Sequence, residues 1–123
     1  MESINTLKLH QEHRDWLSEL NFVQDEIKYF QYKLAEILAH DPEHNQDEIN
    51  SFKAILLGFL QEIDELRHSI HTHEYYLSYF KEHKLREGKV IQPSHEDKKL
   101  EMTIFHNKYE EFKKNLKSFM GSV

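Results

Sequence analysis

The chain has 123 residues and a formal net charge of −6, with 31% charged and 38% hydrophobic residues, no Cys, three Gly and two Pro. Without cysteine there is no disulfide framework, no Cys-based zinc site and no thiol nucleophile. So few turn-forming residues exclude a many-turned β protein, and the acidic balance argues against a nucleic-acid backbone as partner.

The length suits a single domain over 1–123, and a high charged fraction suits slender helices with wide solvated faces. The first predicted helix covers about 4–40, with Ser3 and Asn5 as candidate N-caps. Its inner row is Leu9, His13, Trp16, Leu20, Val23, Ile27, Phe30, Leu34 and Ile37, in alternating steps of three and four. That spacing draws one apolar seam along a supercoiled helix. The helix should stop at Asp41-Pro42, because proline disfavours helical geometry in the residue before it.

The second predicted helix covers about 43–87, with Pro42 at its first position or, alternatively, Asn45 as its cap. Its row, Ile49, Phe52, Leu56, Phe59, Ile63, Leu66, Ile70, His73 and Leu77, mirrors the first. Folding back near Glu43 sets Ile37 opposite Ile49, Phe30 opposite Leu56 and Trp16 opposite Ile70. The one polar pair in the series is His13 with His73. Gly88 offers a C-terminal cap, and residues 88–93 read as a loop.

Pro93 and Ser94 mark the start of the third predicted helix, about 94–120. Its seam is Met102, Phe105, Tyr109, Phe112, Leu116 and Phe119. Pairing it with the second helix across the 88–93 loop sets Phe80 against Met102, Leu77 against Phe105 and Ile63 against Phe119, with Tyr109 level with His73. The balance of Lys/Arg over Asp/Glu is −7 in residues 1–50, −2 in 51–97 and +3 in 98–123. An acidic hairpin should therefore attract a basic third helix.

The fold class is all-α: a long antiparallel helical hairpin plus a shorter third helix, a three-helix bundle. In this register the third helix ends near Phe59 and leaves the hairpin tip uncovered. Leu34, Leu38, Phe52, Ile55, Leu57 and Leu60 there form an expected interface. A second copy overlapping at the tips would complete a four-helix bundle, so a homodimer is the expected state and another protein the second possible partner.

Ten histidines need placing. His40, His44, His68, His71, His83 and His95 fall on outer faces or near helix ends and are read as solvated. The layer of His13, His73 and Tyr109 is read as buried. It can act as a hydrogen-bonded register layer, as a metal site, or as a pH switch. For a metal, His10, His13, His73 and His106 are the ligand candidates, and imidazoles suit zinc or iron. The inner rows of the first two helices hold no Glu, and the one clear Glu-x-x-His, Glu65 to His68, faces outward, which argues against a di-iron carboxylate centre.

No Gly-rich phosphate loop, nucleophile elbow or HExxH occurs. No catalytic residue or required cofactor is therefore expected. The expected function is a non-enzymatic structural or protein-interaction bundle that self-associates through the hairpin tip; the alternative is a histidine-based metal-binding bundle centred on His13 and His73. No apolar stretch is long enough to span a bilayer, and the first residues show no signal-peptide pattern. No membrane association and a cytoplasmic location are the corresponding expectations.

Overall fold

Three long helices make up most of the described residues in the computed structural model: α1 (Thr6–His40), α2 (Gln46–His83) and α3 (Glu87–Ser122). Secondary structure is described for residues 6–83 and 87–122, and side chains for 7–79 and 95–122. Among the described residues there is no strand. No helix there is long and apolar enough to cross a membrane.

The mirrored rows are the core. Leu20, Val23, Ile27, Phe30 and Leu34 of α1 cluster with Ile49, Leu56, Phe59, Ile63, Leu66 and Ile70 of α2. Cross-helix polar contacts confirm the direction. His10 and His13 reach Glu74, His13 reaches His73, and Asn21 and Gln24 reach Arg67. Positions rise along α1 as they fall along α2, as the predicted fold-back requires.

The turn between them uses the second of the two expected starts. The Asp41 amide closes α1 by donating to the Ile37 carbonyl at 3.0 Å. Pro42 then lies in the turn rather than in α2. The Asn45 carbonyl accepts the Ile49 amide at 2.9 Å, so Asn45 is the N-cap. Asp41 binds the turn instead, accepting from the His44 amide at 3.3 Å and from its ring at 2.8 Å. Asp47 and Glu48 in the first turn of α2 complement the positive end of its dipole.

The third helix departs from expectation. It starts at Glu87, not Ser94, so Gly88 belongs to α3 and residues 88–93 are helical. Helix α2 ends at His83 rather than near Glu87. The expected Ser3 and Asn5 caps and the Phe80–Met102 pair lie outside the residues described in full. Pro93 falls past the first turn of α3, where a proline forfeits one ladder bond and crowds the carbonyl four residues before it, at a cost of about 3 kcal/mol. The shorter link moves the pivot and slides α3 two heptads towards the hairpin tip, roughly 20 Å of helix. His73 therefore faces His95, not Tyr109. Phe59 packs on Phe105, Tyr109 and Phe112, with ring centroids 6.0, 5.4 and 5.3 Å away.

What drives the slide is burial at the tip. Phe52 meets Phe112 and Phe119 at 5.9 and 5.1 Å. Leu116 and Phe119 are buried, each contributing about 1.5–3 kcal/mol on removal from water. The tip that the sequence register left bare is thus covered within the chain. Leu34 is fully buried, and Leu38, Phe52 and Leu60 pack against the core. Of the six expected interface residues, Ile55 and Leu57 remain exposed.

Charge supports the same placement. Glu12, Glu19 and Glu26, one heptad apart on α1, meet His95 and Lys99, His106, and Tyr109 and Lys113 of α3. The expected attraction between acidic hairpin and basic third helix is this row of contacts.

Candidate metal centre

Each helix sends one histidine into a common layer. His13 of α1, His73 of α2 and His95 of α3 are 1%, 6% and 2% exposed. Their ring centroids lie 4.9 Å (His13 to His73), 5.3 Å (His13 to His95) and 5.6 Å (His73 to His95) apart. One nitrogen from each can be chosen such that all three lie within 4.8 Å of one another. No other group of three His or carboxylate residues is arranged to hold an ion among the described residues.

Local pattern explains why these side chains point inward. His13 and His73 occupy seam positions of α1 and α2. His95 lies one heptad before Met102 and so continues the α3 seam. That spacing was the signal for His95. Placing the residue in the first turn of a helix starting at Ser94 hid it, because such a turn would lie beyond the bundle.

The hydrogen bonds around the layer are specific. His13 Nδ1–H donates to Glu74 Oε1, and His10 Nδ1–H donates to the other oxygen of the same carboxylate. His13 Nε2 and His73 Nδ1 are 3.1 Å apart. His95 Nε2–H donates to Glu12 Oε1 at 2.6 Å, and Lys99 Nζ lies 3.8 Å from Glu12 Oε2. His95 Nδ1 is buried and has no hydrogen-bond partner. Trp16 roofs the layer, stacked on His95 at 5.0 Å and tilted against His13 at 5.5 Å.

Burial holds the His13 imidazole below its usual pKa, against the opposing pull of Glu74. A neutral ring is the form that binds a metal. Three neutral imidazoles from three helices can supply three corners of a tetrahedron; two nitrogens sharing a zinc ion lie about 3.3 Å apart, near the spacing of the His13–His73 pair.

The other candidates lie elsewhere. His10 is half-buried and held by Glu74, beside the layer rather than in it. His106 is exposed and pairs with Glu19 at 2.9 Å, outside it. Tyr109, expected in the layer, is displaced by the slide of α3. It is buried against Phe59, and its hydroxyl donates to Glu26 at 2.8 Å. Burial, then the Glu26 carboxylate, push its pKa well up, so it stays protonated. Comparison with known proteins finds no matching family model, no matching curated protein and no matching solved structure.

Proposed function

We propose that this chain is a non-enzymatic metal-binding module, a three-helix bundle that takes one divalent transition-metal ion, of which zinc is the first choice, between His13, His73 and His95. One observation carries the reading: the buried, unpartnered Nδ1 of His95 beside two other buried imidazoles. A register layer needs only the His13–His73 pair, which bond each other. A third buried histidine with an orphan nitrogen costs about 1–3 kcal/mol that Leu would not. A metal ion turns that cost into a coordinate bond.

The ligand set fits the chemistry. Imidazole nitrogens without thiolates suit zinc, copper, nickel and iron, and three ligands leave a fourth position for water or another donor. The test is a protein purified without affinity-tag metal, stripped with chelator and titrated with zinc. One equivalent bound per chain and a raised melting temperature are expected. Sub-stoichiometric binding with no change in melting overturns the reading.

Self-association through the hairpin tip is supported by Ile55 and Leu57, which are 45% and 60% exposed. Its test is a light-scattering mass of two chains that falls to one in Leu57→Glu.

A further inference from the structure

We infer that Glu74 and Glu12 are the positioning residues of this centre, fixing opposite tautomers of His13 and His95 so that their bare nitrogens converge on one ion. This rests on the metal-binding reading above.

A carboxylate only accepts hydrogen bonds, so the ring nitrogen facing it must carry the hydrogen. Glu74 faces His13 Nδ1, which leaves Nε2 bare, 3.1 Å from His73 Nδ1. Glu12 faces His95 Nε2 at 2.6 Å, which leaves Nδ1 bare and buried without a partner. The two ligands thus offer different ring nitrogens, and in each case the inward nitrogen is the one the carboxylate has stripped. Neither tautomer is left to chance, and the negative charge behind each ring raises its basicity as a ligand.

The arrangement also crosses helices. The carboxylate on α2 orients the ligand on α1, and the carboxylate on α1 orients the ligand on α3. Both carboxylates are themselves held, Glu74 by His10 Nδ1 and Glu12 by Lys99 Nζ. Glu19 provides an internal control. It makes the same kind of bond to His106 along the same α1–α3 face, but His106 lies outside the layer.

The experiment uses the full chain, metal-free, with Co2+ as the probe. Its visible absorption reports ligand number, and zinc competition gives affinity. Glu74→Gln and Glu12→Gln keep side-chain size, but the amide can present either an acceptor or a donor and no longer fixes the ring. Each is expected to bind about ten- to hundredfold more weakly, at unchanged stoichiometry and unchanged metal-free melting temperature. Glu19→Gln is expected to bind like wild type. Unchanged affinity in both test variants overturns the inference while the three-histidine centre stands. An equal loss in Glu19→Gln, or a loss matched by lower metal-free stability, also overturns it, since the pairs would then act through the fold. A wild-type chain that takes up no cobalt removes the centre and the inference together.

Discussion

Trp16 stacks on His95 with ring centroids 5.0 Å apart and planes 27° from parallel, joining α1 to α3 directly above the histidine layer. It is the chain's one tryptophan. Open-shell ions quench indole emission over a few ångströms, so Co2+ or Ni2+ should lower Trp16 fluorescence and saturate at one equivalent. His95→Leu should abolish the saturable phase. Emission that stays constant through two equivalents of Co2+ would count against an ion in the layer.

His95→Leu separates stability from binding. The variant removes a buried nitrogen that has no partner and keeps an apolar side chain on the α3 seam. Metal-free stability should hold or rise by about 1 kcal/mol, while stoichiometric zinc uptake is lost. Denaturant melts of the stripped proteins, with and without zinc, give both quantities. A variant much less stable than wild type even without metal would mean that the ring contributes more by stacking than by its lone pair.

The metal-free protein should weaken in mild acid. Burial sets the folded pKa of His13 below its ordinary value of 6.5. Above that value both folded and unfolded states leave the ring neutral, and its contribution is fully present. As pH falls the unfolded chain takes up the proton first, so stability is lost progressively down to the folded pKa. Melting temperatures at pH 8, 6.5 and 5 measure the slope, and His13→Leu should flatten it. Equal slopes in the two proteins would assign the acid sensitivity to other groups.

Phe59→Ala tests the register of α3. The ring is 5% exposed and touches Phe105, Tyr109 and Phe112. Truncation should cost about 3–5 kcal/mol, read from a denaturant midpoint at constant slope. Had α3 ended level with Phe59, the ring would sit at the edge of the third helix and its loss would cost far less.

Much of this architecture is legible in the chain. Steps of three and four mark each seam, and the mirror symmetry of the first two rows brings His13 to His73 because a short turn leaves little freedom of register. The α3 seam from Met102 to Phe119 is equally visible, and Met102, Phe105, Tyr109, Leu116 and Phe119 are buried as its spacing requires. The offset of that seam is not legible, because it depends on where α2 stops and α3 starts. Pro93 and Gly88 carry strong local signals for a loop, yet burial of Leu116 and Phe119 against the hairpin tip outweighs the roughly 3 kcal/mol that a proline inside a helix costs. The place of the third histidine depends on the same offset. Once α3 slides two heptads towards the hairpin tip, His95, one heptad before Met102, comes level with His73 and takes the place expected for Tyr109.

The acidic row on α1 has a topological consequence. A third helix can settle on either side of a two-helix hairpin, and an apolar seam alone distinguishes the two mirror arrangements poorly. The side of α1 that meets α3 carries Glu12, Glu19 and Glu26, whereas the opposite side carries His10, Leu17 and Gln24. In the mirror arrangement that second side would meet the other flank of α3, which carries Glu101, Lys108 and Asn115, and the pairs of Glu12, Glu19 and Glu26 would be lost. The two lysine pairs, Lys99–Glu12 and Lys113–Glu26, contribute about 0.5 kcal/mol each, which together favours one hand by a factor of about five. Surface charge thus leans the third helix towards this side of the hairpin.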